Sequence, residues 1–137
     1  MGFNILIVDD SEIIRSMIAR TIRMAGVPVD KLLTAENGAR GLELLKSNWI
    51  DLVFADINMP VMDGVAMIEE MHRHEVLSNV PVVVISTEGS ETKVEKLLQQ
   101  GVVAFFRKPF TPEMIRKAIV DVLGEWDDEP ELPTDTF

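Results

Sequence analysis

The chain has 137 residues, one domain's worth, because a second independent core would need roughly another 100. Hydrophobic residues make up 47% and charged residues 26%, which allows a real core and excludes disorder throughout, and no apolar run approaches the roughly 20 residues of a membrane helix. Thirteen Lys plus Arg against 23 Asp plus Glu give a net charge of −10, which argues against direct nucleic-acid binding, and the absence of Cys removes disulfides, zinc–cysteine sites and thiol nucleophiles.

Met1 to Val8 carries no basic stretch ahead of an apolar run and cleavage site, so a cytoplasmic location is expected. Short aliphatic runs then recur at Ile5 to Val8, Leu32 and Leu33, Leu52 to Ala55, Val82 to Ile85 and Val102 to Phe106. They are continuous rather than alternating, the pattern of strands covered on both faces in a parallel sheet. The segments between them read as helices. From Ser11, the apolar residues Ile14, Met17, Ile18, Ile22 and Ala25 follow helical spacing, and Gly26 supplies a stop. Gly41, Leu44 and Leu45 predict a second helix with a small face, Val65, Ile68 and Met71 a third, and Val94, Leu97 and Leu98 a fourth ended by Gly101. The fifth has the fullest signature: Thr111 as its cap, Pro112 in its first position, Ile115, Ala118, Ile119 and Val122 on one face, and Gly124 as its end.

Alternating strands and helices with right-handed crossovers predict an α/β fold, a doubly wound five-stranded parallel sheet in flavodoxin-like order 2-1-3-4-5, occupying residues 1–124. Beyond Gly124, Glu125, Asp127, Asp128, Glu129, Glu131 and Asp135 place six acids and no base in the last thirteen residues, leaving −4 for the body. With Pro130 and Pro133 among those acids, residues 125–137 are expected to form a disordered acidic tail.

On this scaffold Asp9 and Asp10 follow the first strand, Asp56 the third, Ser86 the fourth and Lys108 the fifth, so all five converge on the carboxyl edge of the sheet, where ligands bind in such folds. A lone Asp after a strand is usually a cap or turn former; three acids, a hydroxyl and a lysine at four strand ends are hard to obtain from capping alone. Each pair of carboxylates about 4 Å apart costs on the order of 4 kcal/mol at an effective dielectric near 20. Lys108 offsets one charge, and a hard divalent ion with oxygen ligands suits the remainder; the cluster predicts Mg²⁺.

These residues carry a resemblance. Ile5-Leu6-Ile7-Val8-Asp9-Asp10-Ser11, the segment Asp56-Ile57-Asn58-Met59-Pro60-Val61-Met62-Asp63-Gly64, the pair Ser86-Thr87 and Lys108-Pro109-Phe110 resemble, in order and spacing, the receiver domain of two-component response regulators. The resemblance covers Met1 to about Gly124. It implies that Asp56 is the phosphoacceptor, attacking a phosphohistidine of a CheA-like histidine kinase, and that the protein is a signalling phosphoacceptor rather than an enzyme acting on separate substrates. It further implies that Asp10, Asp56 and the Asn58 carbonyl ligate Mg²⁺ with Asp9 acting through a water, and that Lys108 and Ser86 contact the phosphoryl oxygens. Ser86 and Phe105 would form the conformational switch, Phe105 standing where many chemotaxis-type members have Tyr. Asn58 and Glu88 match the family's tuning positions, in a combination similar to CheY-like chemotaxis regulators. Lys108-Pro109 is expected in the cis form, and Gly64 where the backbone passes close to the site. His72 and His74, near the end of the third helix, read as surface residues.

The resemblance leaves no residues for an effector domain, so the expected output is a contact made by the receiver's fourth helix, fifth strand and fifth helix. Lys93, Lys96, Arg107, Arg116 and Lys117 fall in that third of the chain and imply an acidic partner segment, in the leading reading the flagellar motor switch, with a phosphatase as a further partner. A phosphorelay intermediate or phosphate sink without a motor partner is the alternative. A small-molecule phosphohydrolase is disfavoured, since the nucleophile follows the third strand and no cap insertion is present. The tail either solubilises the protein or competes for the basic patch.

Overall fold

The computed structural model describes residues 2–87 and 90–124. Glu88 and the acidic segment 125–137 lie outside these residues. Five strands, β1 (Phe3–Val8), β2 (Val29–Ala35), β3 (Leu52–Ala55), β4 (Val82–Ser86) and β5 (Ala104–Arg107), alternate with five helices, α1 (Glu12–Met24), α2 (Gly38–Ser47), α3 (Gly64–His72), α4 (Glu91–Gln99) and α5 (Pro112–Leu123). All neighbouring strands pair in parallel, in the order β2-β1-β3-β4-β5. This is the predicted doubly wound sheet.

Alternation along each strand sorts the core into two layers. Leu6, Val8, Val53, Ala55, Val82 and Val84 face α2, α3 and α4, whereas Ile5, Ile7, Leu52, Phe54, Val83 and Ile85 face α1 and α5. Phe54, fully buried at the centre of the second layer, contributes about 2–3 kcal/mol by leaving water. Gly41 lets α2 settle on β1, since a Cβ there would stand 3.1 Å from a methyl of Val8.

Each helix begins on a capping side chain. Ser11, Asn37, Asp63, Ser90 and Thr111 accept hydrogen bonds from the backbone N–H groups of Ile14, Arg40, Ala66, Lys93 and Met114, at 2.8–3.2 Å. Pro112 occupies the start of α5, as its fixed φ favours.

Two elements differ from the sequence reading. β5 starts at Ala104 instead of Val102, because Val102 and Val103 bring the chain out of α4: Val102 N–H bonds the Leu97 carbonyl while its side chain is buried. A 3-10 turn at Leu77–Asn79 precedes β4, too short to leave a periodic pattern.

Candidate functional site

The carboxyl edge of β1, β3, β4 and β5 holds the predicted cluster. The ladders carry the chain into it: Asp9 N–H bonds the Ala35 carbonyl, Asp56 N–H that of Val8, and Lys108 N–H that of Ser86. Asp9 and Asp56 are buried, Asp10 is exposed, and one carboxylate oxygen from each lies within 4.8 Å of the others. The Lys108 ammonium bridges the two buried acids, 3.1 Å from Asp9 Oδ2 and 3.3 Å from Asp56 Oδ2. The remaining oxygens are also held: Asp9 Oδ1 accepts from Ser11 N–H at 2.9 Å and Asp56 Oδ1 from Ile57 N–H at 2.7 Å. Ser86 closes β4 with its side chain fully buried.

Burial pushes the Asp9 carboxyl above its ordinary value, and the Ser11 N–H and Lys108 ammonium pull it down without cancelling the rise. For Lys108, burial acts to lower the ammonium pKa, and its contacts with Asp9 and Asp56 outweigh that effect and raise it. Counted at formal charge, three carboxylates against one ammonium leave two negative charges, which a divalent cation would balance. The donor set is all oxygen, as Mg²⁺ requires. A shallow opening of about 340 Å³ beside the acids, lined by Asp10, Asn58, Met59, Pro60 and Asp63, gives access from solvent.

Three local features shape this opening. Gly64 packs against the Asp56 carbonyl so closely that any Cβ would overlap it, and its N–H bonds the Ile57 carbonyl at 2.8 Å. Val61, 86% exposed, adopts φ +67° at the tip of a tight turn in which Met62 N–H bonds the Pro60 carbonyl. Arg15, on α1, donates from Nη1 to the Asp9 carbonyl at 2.7 Å and fixes the turn that carries both acids. Neither the backbone of Val61 nor the reach of Arg15 is legible in the sequence. An apolar tripeptide and one more helical arginine carry no signal of these roles.

Lys108-Pro109 is cis. Phe105 is half-buried against the α2–α3–α4 layer, with the Arg107 guanidinium 5.5 Å from its ring centroid. Lys93, Lys96, Arg107 and Lys117 are exposed, the last paired with Asp121 at 3.1 Å. Arg116 instead turns toward α1, donating to the Ala25 carbonyl at 2.6 Å. His72 ends α3 on the surface, and His74 follows it half-buried.

Comparison with known proteins gives one family. The response regulator receiver domain model matches residues 5–120. A chemotaxis protein CheY homolog of Campylobacter jejuni is 33% identical over 121 residues, covering 88% of this chain and 92% of that protein. Chemotaxis protein CheY of Bacillus subtilis is 34% identical over 124 residues, covering 90% of this chain and 100% of that protein. Among solved structures, a CheX-CheY-BeF3-Mg²⁺ complex from Borrelia burgdorferi superimposes with a TM-score of 0.80 at 28% identity, over 88% of this chain and 89% of that one.

Proposed function

The chain belongs to the response regulator receiver domain family, and we propose that it works there as a chemotaxis-type phosphoacceptor, with residues 1–124 forming the receiver and Asp56 carrying the phosphoryl group. The single observation behind this reading is the placement of Lys108 between Asp9 and Asp56, with Asp10 in the same cluster. An ammonium already seated against the nucleophile neutralises charge where an incoming phosphoryl group adds more.

In this reading an Asp56 carboxylate oxygen attacks the phosphorus of a kinase phosphohistidine. The new P–O bond forms as the P–N bond breaks, and the imidazole departs with the electron pair. Asp9, Asp10, Asp56 and the Asn58 carbonyl would hold Mg²⁺, which supplies charge neutralisation at the transferring phosphoryl oxygens. Lys108 exchanges part of its contact with Asp56 for one with the phosphoryl group. The Asp56–Ile57 hydrogen bond keeps the nucleophile's other oxygen fixed.

Ser86 then reports the phosphoryl group, and Phe105, which has no hydroxyl to expose, answers by deeper burial. The described B. burgdorferi complex supports a partner of the CheX kind for the switched state, and Lys93, Lys96, Arg107 and Lys117 supply the charge for an acidic motor-switch segment. Asn58 and Glu88 set how fast water removes the phosphoryl group.

Incubation with Mg²⁺ and acetyl phosphate tests the reading. A mass gain of one phosphoryl group, labile to hydroxylamine and absent from Asp56→Asn, is expected; phosphorylation persisting in that variant would refute it. Tighter binding of a motor-switch peptide to the phosphorylated form supports the chemotaxis output. Return of the group to a histidine phosphotransferase, without peptide binding, identifies the relay or sink.

A further inference from the structure

The edge of the sheet opposite the acid cluster carries a second feature. Asp51 immediately precedes β3 and Asp56 immediately follows it, so about 16 Å of extended chain separates the two ends. Between the end of α2, the start of β3 and the approach to β4 lies a cleft of about 390 Å³. Its floor is apolar: Leu45, Ile50 and Leu77 are buried beneath it. Trp49 and Val76 line it while remaining 74% and 70% exposed, so two large apolar side chains meet solvent on one patch. The Trp49 ring is held in position, its Nε1–H donating to Asp51 Oδ1 at 3.0 Å.

The charge on the lining of this cleft has one sign. Asp51 and Glu75 contribute carboxylates to its lining, and no Lys, Arg or His does so among the described residues. α2 ends beside it, with Lys46 in its last turn outside the lining. Of the bases that precede Glu75 in sequence, His74 lies outside the lining and Arg73 is paired with Glu70. Asp51 accepts from the Asn4 N–H on Oδ2 at 2.7 Å as well as from Trp49 on Oδ1, so it fixes the indole and adds negative charge, while Glu75, the exposed indole and the aliphatic floor recognise a cation on an apolar stem, by charge and cation–π contact together.

We propose that this cleft is a docking site for a basic segment of another protein, Arg or Lys flanked by aliphatic side chains, that engages regardless of phosphorylation. The proposal is independent of the phosphoacceptor reading, since it uses no residue of the acid cluster. An acidic partner, or this chain's own acid-rich residues 125–137, would be repelled by Asp51 and Glu75. Such a contact would hold a partner while leaving the phosphoacceptor edge open.

Trp49 reports its own occupancy. The chain has two tryptophans, so Trp126→Phe leaves Trp49 as the only indole emitter in the full-length protein. The probe is a peptide of alternating Arg and Leu, titrated against this variant, with a Glu and Leu peptide as control. A saturable shift in Trp49 emission is expected with the first peptide and none with the second. Glu75→Lys and Val76→Ser should each weaken binding by about fivefold or more, and Glu113→Lys, which changes net charge equally at the start of α5, should leave it unchanged. Adding Asp56→Asn should also leave it unchanged. Equal loss in Glu75→Lys and Glu113→Lys would overturn the proposal in favour of diffuse attraction to an acidic protein. Emission that depends on protein concentration alone would overturn it in favour of a second copy of the chain. A shift caused by Leu132→Ser or Phe137→Ser without peptide would assign the cleft to residues 125–137 instead.

Discussion

The α-carbon of Gly64 lies against the carbonyl of Asp56, and no other residue type fits there without moving one of the two backbones. The first turn of α3 therefore acts as a template for the end of β3. Gly64→Ala should cost about 1–3 kcal/mol, the range for forcing a methyl into a packed site. It should also reduce phosphorylation, because the displacement falls on the backbone of Asp56. Chemical denaturation paired with acetyl phosphate labelling checks both effects; unchanged labelling in a destabilised variant would separate the packing role from the site.

Much of this arrangement is legible in the sequence because continuous apolar runs mark strands buried on both faces. Once those strands are parallel, the residue after each one falls on the same edge. Asp9, Asp10, Asp56 and Lys108 therefore come together from position alone, and Ser86 ends the neighbouring strand, its carbonyl accepting from Lys108 N–H. What was not legible depends on tertiary approach. Val102 belongs to an apolar run, but its N–H is taken by Leu97, so the strand starts later. Arg116 sits beside Lys117 in sequence, yet one turns to the carbonyl of Ala25 and the other pairs along its own helix with Asp121. Long side chains choose partners by reach, which periodicity does not encode.

Lys108 gives a pH signature with a definite sign. Although burial acts to lower its pKa, the contacts with Asp9 and Asp56 raise it above the ordinary 10.5 in the folded protein. The folded state therefore binds this proton more tightly than the unfolded one. Its contribution is complete below pH 10.5 and is lost as pH rises through the folded value. Lys108→Met should be destabilised by about 2–4 kcal/mol near neutrality, since it strands buried carboxylates without their partner. Urea denaturation across pH 8–11.5 should show the two proteins converging in the alkaline limb as wild type loses that contribution; a constant gap would reject the assignment.

Val61 holds a left-handed backbone at the tip of the loop over the acids, where a β-branched side chain is disfavoured. Its side chain is too exposed to repay that strain through burial. Val61→Gly, which has no Cβ to crowd the backbone at a positive φ, should raise stability by about 1 kcal/mol. Thermal melts of the two proteins test this directly. If the variant melts lower, the Val61 side chain makes a stabilising contribution that outweighs its backbone strain.

Asp10 is the exposed member of the acid cluster, and its charge is the one Lys108 does not touch. In metal-free buffer, Asp10→Asn removes repulsion with Asp9 and Asp56 and should stabilise the protein by roughly 1 kcal/mol, a value reduced by the solvent around it. Mg²⁺ should reverse the order. On the proposed metal site the wild type should gain stability with rising Mg²⁺ by mass action, whereas the variant, short of one ligand, should gain less at each concentration. Melting curves from zero to tens of millimolar Mg²⁺ should therefore cross. Parallel curves would place the ion elsewhere, and a variant less stable even without metal would mean that Asp10 serves the fold through contacts other than charge.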